Sequence, residues 1–92
     1  ILNTQFMLYQ NYPNPFNPNT VIGYQLSVGG YVQLKVYDIL GREVATLVNE
    51  YKPVGNYNYT FSTINYTLPS GVYFYRLSSN GSVQTRKMVY LK

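Results

Sequence analysis

The feature that most constrains the fold is a two-residue alternation of apolar and other side chains, repeated along most of the chain. In the clearest run, residues 31–37, Val32, Leu34 and Val36 alternate with Tyr, Gln and Lys. Successive side chains of a β-strand point to opposite faces, so this alternation predicts strands with one face in a core. β-branched and aromatic residues favour strands and are enriched in each run. No window keeps a 3.6-residue period, and the sequence therefore predicts an all-β protein.

Turn-forming residues separate the alternating runs. Asn80-Gly81 is the strongest signal, because a tight type I′ hairpin needs positive φ at both central residues. The predicted strands lie near residues 5–9, 21–26, 31–39, 43–50, 56–62, 72–79 and 82–91. This spacing is typical of two packed sheets and predicts an immunoglobulin-like antiparallel β-sandwich of about seven strands. We expect one domain, with an N-terminal strand and a Pro- and Asn-rich loop in residues 1–20 and the sandwich in residues 21–92.

The segment of residues 11–20 contains Pro13, Pro15 and Pro18. Each proline restricts φ and removes a hydrogen-bond donor, so we expect an extended loop. Two interpretations remain open. The segment is either a rigid turn whose Phe16 fills the sandwich, or a docking loop for a partner. It has no carboxylate, which argues against a calcium site.

The composition argues against catalysis and against metal binding. The 92 residues include no Cys, no His and only three acidic residues, so no thiol nucleophile, His-activated Ser or ordinary zinc site is available. Asp38 and Glu43 flank a glycine turn, where we expect them to be solvated rather than paired in a cleft as an acid and a base. We expect a protein that is not an enzyme and has no cofactor or metal.

The net charge of +4 indicates a basic surface. Only Arg86 and Lys87 are adjacent in sequence, so the basic residues form no run that could bind a series of phosphates. We therefore expect no nucleic-acid partner. No stretch approaches the roughly 20 apolar residues of a membrane helix, so we expect no direct membrane insertion. Glycosylation sequons at Asn58, Asn65 and Asn80 are treated as chance matches. Without an initial Met or a signal peptide, the chain is expected to be a mature product or part of a longer protein.

Three stretches of the chain together resemble a known family. They are Tyr12-Pro13-Asn14-Pro15-Phe16-Asn17-Pro18 followed by Thr20, Ile22 and Tyr24; residues 32–44 with Thr46 and Leu47; and residues 68–77 with a closing Lys87-Met88-Val89-Tyr90-Leu91-Lys92. In this order they resemble the type A C-terminal sorting domain of type IX secretion over roughly residues 9–92. The middle stretch alone also resembles the immunoglobulin-like domain of flagellar hook-capping proteins and is less specific.

The resemblance implies a module that directs cargo through the outer membrane of a Gram-negative bacterium. Cargo of this family enters the periplasm with an ordinary signal peptide, and outer-membrane machinery then reads the folded domain. A sortase-like protease often removes the domain, leaving cargo in the medium or on the cell surface. The expected partners are therefore the secretion machinery and this protease. These domains normally follow cargo, which this chain does not contain.

Carried over by position, the likeness implies specific recognition residues. The Pro-x-Pro element falls on Pro13 and Pro15, and the Gly-x-Tyr element falls on Gly71 and Tyr73. The basic and apolar final strand supplies the remaining four, Lys87, Met88, Leu91 and Lys92. Plainer roles are also open: Gly71 as a turn residue before a core strand, and the lysines as protection of an edge strand against aggregation. Loss of residues 87–92 is expected to block export while the fold largely survives.

A second hypothesis is an extracellular structural subunit that assembles with copies of itself into a filament or surface layer. Its basis is the absence of cargo, the low charge and the Tyr-rich surface. In this hypothesis residues 4–9, with Phe6 and Leu8 on one face, complete the sheet of a neighbour. A passive spacer domain on a larger protein is a third possibility.

Overall fold

The structure, a computed structural model, describes residues 5–92 and contains strands and loops in that range. Residues 5–92 form seven strands: β1 (Met7–Leu8), β2 (Asn19–Leu26), β3 (Gly30–Tyr37), β4 (Glu43–Lys52), β5 (Gly55–Ser62), β6 (Gly71–Ser79) and β7 (Ser82–Tyr90). The predicted all-β class and the number of strands are confirmed. β1 has two residues rather than the five predicted, and its pairing with β2 covers only Met7 and Leu8.

The strands form two sheets, with orders β1-β2-β5 and β4-β3-β6-β7. All pairings between strands are antiparallel, and a shared hydrophobic core packs between the sheets. This is the predicted β-sandwich, consistent with an immunoglobulin-like fold.

The core follows directly from the alternation. Val32, Leu34 and Val36 of β3 are fully buried, whereas the residues between them are partly exposed. Tyr24 and Tyr75 are the largest fully buried side chains, so this core depends on tyrosine as well as on aliphatic residues. Burying an aromatic side chain removes a large apolar area from water, which compensates for the small size of the chain.

The β6–β7 hairpin turns at Asn80-Gly81 as predicted. Asn80 has φ of 52° and Gly81 has φ of 78°, which are the two positive values that a type I′ turn requires. A Cβ at Gly81 would meet nothing within 4 Å. Glycine is therefore favoured there by its backbone conformation and not by lack of space.

The two sides of the sandwich differ. On one side, the amide of Gln84 on β7 accepts from the N–H of Leu8 (2.7 Å) and donates to the carbonyl of Phe6 (3.0 Å), joining β1 to β7. On the other side, β4 and β5 are outer strands that each pair with one neighbour within residues 5–92. The sandwich is therefore closed along β1 and β7 and open along β4 and β5.

Candidate recognition site

Three segments that are distant in sequence meet at one corner of the sandwich. Phe16 lies beside the end of β7, where its N–H donates to the carbonyl of Val89 (3.0 Å) and its carbonyl accepts from the N–H of Leu91 (3.1 Å). Gly71, the first residue of β6, pairs with Tyr90. We call residues 13–16, 70–73 and 87–92 together the terminal corner. All eight predicted recognition residues lie in it.

The proline-rich segment is held in place by polar contacts and by one aromatic side chain. The carbonyl of Pro13 accepts from the amide of Asn11 (3.2 Å) and from the hydroxyl of Thr20 (2.9 Å). Phe16 is only 2% exposed and packs against two rings of the core, Phe61 and Tyr90, with centroids 6.1 and 5.3 Å away.

Phe16 therefore fills the sandwich, as one interpretation of the sequence predicted. Pro13 and Pro15 are exposed on the outside of the same turn. These two prolines therefore project from a segment that is anchored on both sides.

Gly71 and Tyr73 have different roles in the structure. Gly71 has φ of 155°, a conformation that residues with a Cβ rarely adopt. Tyr73 is buried, and its hydroxyl donates to the carbonyl of Pro69 (2.6 Å). Burial raises the pKa of Tyr73, and the nearby carboxylate of Asp38 raises it further. Tyr73 thus holds the loop before β6 in place and is not itself an accessible contact.

The final segment is also divided between core and surface. Met88 is fully buried opposite Tyr73 on β6, whereas Lys87, Leu91 and Lys92 are exposed. Removing residues 87–92 would delete Met88 and Tyr90 from the core together with part of the β6–β7 ladder. The expectation that the fold largely survives this truncation is not supported, because removing buried side chains of this size costs about 2–5 kcal/mol each.

The outer edge of β7 is covered by the N-terminal segment of the same chain. The side-chain amide of Gln10 donates to the carbonyl of Lys87 (2.7 Å), and the side-chain oxygen of Asn14 accepts from the N–H of Val89 (2.9 Å). Arg86 adds a bond from its Nε to the carbonyl of Leu8 (2.7 Å).

Sequence reasoning did not find these contacts, because polar side chains that bridge distant segments leave no periodic signal. These contacts place the N-terminal segment directly against the final strand.

A cleft of about 470 Å³ opens at the same end of the molecule. Its walls include the exposed Ile39 and Leu40 of the β3–β4 turn and Leu68 and Val72 near the start of β6. Asp38 shapes the turn by accepting from the backbone N–H groups of Leu40 and Arg42 and from the Arg42 side chain. These bonds, those from Arg42 first, lower the pKa of Asp38. The cleft is thus bordered by a rigid turn with an apolar tip.

The charged side chains are distributed unevenly. Each acidic residue forms an ion pair: Asp38 with Arg42, Glu43 with Lys35 and Glu50 with Lys52. The basic residues outside these pairs are Arg76, Arg86, Lys87 and Lys92. All four lie on β6, on β7 or just beyond it. The excess positive charge is therefore concentrated on β6 and β7, the strands that contribute to the terminal corner. Glu43 is exposed as predicted, but the Asp38 side chain is only 16% exposed because it bonds to its own turn and to Arg42.

The predicted assembly strand is engaged within its own chain. Leu8 is fully buried in the core, and Phe6 packs against that core. Residue 4 of this predicted strand lies outside the described residues. No observation supports the filament hypothesis.

Within residues 5–92, no group of three His, Cys, Asp or Glu side chains is placed to hold a metal ion. The same residues include no helix of the length and hydropathy needed to cross a membrane.

Comparison with known families identifies the chain. It matches the secretion system C-terminal sorting domain over residues 10–91, which includes the terminal corner except for Lys92. The chain belongs to this family. No curated protein and no solved structure matches it.

The sorting domain is a signal for type IX secretion, and it interacts with that secretion machinery. The signal implies export to the cell surface or the medium of a Gram-negative bacterium. Members of the family are not known as catalysts.

Proposed function

We propose that the secretion machinery reads this sorting domain in its folded state at the terminal corner. The observation that carries the proposal is the convergence of the proline-rich turn, the start of β6 and the end of β7 at one place. These are the three elements that the family likeness marks as recognition elements, and only folding brings them together.

The proposal divides the predicted residues into contacts and supports. Pro13, Pro15, Lys87, Leu91 and Lys92 are exposed and make the contacts. The remaining three, Gly71, Tyr73 and Met88, position the contact surface through a glycine-favoured backbone and buried packing. Apolar and cationic side chains together suit a partner surface with an apolar pocket and an acidic rim, in which the buried centre supplies most of the affinity.

Transport through the periplasm precedes this recognition, and proteolytic removal of the domain follows it. The sorting domain passes through the periplasm with its cargo and acts without catalysis. A sortase-like protease separates it from the cargo at the outer membrane. The structure limits where this cut can lie. Because β1 pairs with β2 and Leu8 is buried in the core, a cut that leaves both sheets intact must precede β1.

Export of a reporter tests the proposal. A periplasmic signal peptide, a fluorescent reporter and the 92-residue domain would be fused and expressed in a bacterium with a type IX system. We expect the reporter in the medium or on the surface. Combining Lys87→Gln, Leu91→Ser and Lys92→Gln should leave most of it in the periplasm, because all three changes remove exposed contacts while preserving the core.

The matched control lies on the same strand at its other end. Val83 is 57% exposed and Leu91 is 51% exposed, so Val83→Ser changes a similar side chain outside the terminal corner. This variant should be exported normally. Equal export of the triple variant and the control would exclude the terminal corner as the recognition site, provided that circular dichroism shows both variants to be folded.

A further inference from the structure

β5 is the least protected sheet edge in the described part of the chain. The outer edge of β7 is covered by the N-terminal segment. β4 carries Glu43, Glu50 and Lys52, and its pairing with β3 has two register shifts. Charged side chains and bulges of this kind discourage the addition of another strand. β5 has eight residues in unbroken register with β2, and its sequence GNYNYTFS has no charge and no proline. Such an edge is a template for strand pairing.

The hydrogen-bonding directions of β2 show which backbone N–H and C=O groups of β5 are available to pair with another strand. The odd-numbered residues of β2 bond toward the N-terminal segment: the carbonyl of Gly23 accepts from Tyr9, and Val21 exchanges bonds with Tyr12. Bonding directions alternate along a strand, so the even-numbered residues of β2 bond to β5, where their partners are odd-numbered. The N–H and C=O groups of Asn56, Asn58 and Thr60 therefore point away from the sheet.

The available part of the edge is centred on Asn58. Toward one end, the ring of Tyr66 packs against Phe61 with centroids 5.7 Å apart, and the N–H of Ile64 donates to the hydroxyl of Ser62 (3.3 Å). The loop after β5 thus occupies the far end of the strand. Toward the other end, the strand begins at Gly55.

We propose that two copies of this domain pair antiparallel through β5, with Asn58 opposite Asn58 of the second copy. In this register Asn56 faces Thr60 on the outer surface and Tyr57 faces Tyr59 on the inner surface. Polar residues meet polar residues, and aromatic residues meet aromatic residues, which are favourable cross-strand pairs. All the outward N–H and C=O groups find partners, because each such pair exchanges two hydrogen bonds.

The side chains beside the β5 edge favour a second copy of this domain as the pairing partner. Tyr57 and Tyr59 are half-buried and line a cleft of about 310 Å³ between β5 and β4. Tyr59 of the second copy would lie beside Tyr57, whose ring stacks on Tyr24 (centroids 5.3 Å apart) and lies 4.8 Å from the Lys52 ammonium. Because β5 is uncharged, the register brings no like charges together, and the excess positive charge lies on β6 and β7 instead.

The pairing has a defined stoichiometry and strength. A two-fold axis between the two Asn58 residues relates the copies, so both use the same strand. The assembly is therefore complete with two copies and does not continue into a fibre. A contact along one strand is small compared with the roughly 1,600 Å² of a standard stable interface. We therefore expect a weak dimer that forms at high local concentration. The proposal is independent of recognition at the terminal corner.

Sedimentation equilibrium of the full 92-residue chain tests the dimer. Between micromolar and millimolar concentration, the average mass should rise toward twice that of the monomer. Asn58→Lys should abolish the rise because it places two cations opposite each other, and Asn58→Asp should do the same with two anions. An equimolar mixture of these variants should associate at least as well as the unmodified chain. Asn49→Lys, at an exposed position on β4, should have no effect.

A cysteine substitution tests the register by a second measurement. The chain has no cysteine, and hydrogen-bonded antiparallel residues have Cα atoms about 5.5 Å apart, within the range that a disulfide spans. Asn58→Cys should therefore form a disulfide dimer in mild oxidant much faster than Asn49→Cys. A chain that stays monomeric at millimolar concentration, a mixture that associates no better than its components, or equal oxidation of the two cysteine variants would overturn the proposal.

Discussion

The hydroxyl group of Tyr75 joins the N-terminal segment to the core. It donates to the carbonyl of Tyr9 (2.8 Å) and accepts from the N–H of Asn11 (2.8 Å). Asn11 is itself buried, and its side-chain amide donates to the hydroxyl of Thr20 (2.9 Å). A single phenol therefore satisfies two backbone groups that are otherwise removed from water, and it fixes the chain just before the proline-rich turn.

Tyr75→Phe should lower the free energy of unfolding by about 1–3 kcal/mol, because it leaves a buried N–H and a carbonyl without a partner. Urea denaturation monitored by circular dichroism would measure the loss. The control is Tyr31→Phe, which removes an exposed hydroxyl that donates to the carbonyl of Asn49. This change should cost less than about 0.5 kcal/mol. Equal losses in the two variants would contradict the role of the Tyr75 hydroxyl.

At the scale of elements, the central feature is the contact between the N-terminal segment and β7. Two side-chain amides and one short parallel bridge replace the regular ladder that a neighbouring strand would supply. Coverage of this kind removes an aggregation-prone edge without a further strand. It also places the proline-rich turn against the end of β7, which builds the terminal corner.

Hydrogen exchange can test this cover at one amide. Asn14→Ala removes the acceptor of the Val89 N–H and should increase the exchange rate of that amide by at least an order of magnitude, since it then faces solvent. The Met88 amide, which faces β6, should keep its protection. The two amides are adjacent in sequence and report different edges of one strand. Unchanged exchange at Val89 would show that Asn14 does not protect the edge of β7.

Local patterns predicted the elements but not this cover. Alternation identified β3 and β6, and Asn80-Gly81 located the hairpin, because strand faces and tight turns depend on neighbouring residues. The bonds of Gln10, Asn14 and Gln84 join positions more than 70 residues apart, and no local rule specifies such pairs. The likeness to the sorting family identified the residues of the terminal corner, but only the fold shows that Tyr73 and Met88 are buried and Leu91 is exposed.

At the scale of the whole molecule, the heavy use of buried tyrosine couples stability to alkaline pH. Burial raises the pKa of Tyr24 from its ordinary value of 10.0 to about 12, with smaller contributions from Tyr57 and Glu50. Burial also raises the pKa of Tyr73 and of Tyr75. The folded state holds these three phenolic protons to higher pH than the unfolded state does. The stability that Tyr24 contributes is fully present below pH 10.0 and is lost as the pH rises toward about 12. The contributions of Tyr73 and Tyr75 are likewise present below pH 10.0 and are lost as the pH rises above it.

The free energy of unfolding should therefore fall steadily above pH 10.0, with a slope of up to roughly 1.4 kcal/mol per pH unit for each tyrosine that remains protonated only in the folded state. Urea denaturation at several pH values would give the curve. Tyr24→Phe keeps the ring and removes the titrating group, so the slope of this variant should be shallower. If Tyr24→Phe and the unmodified chain have the same slope, Tyr24 does not ionise with unfolding, and the alkaline loss must come from other groups.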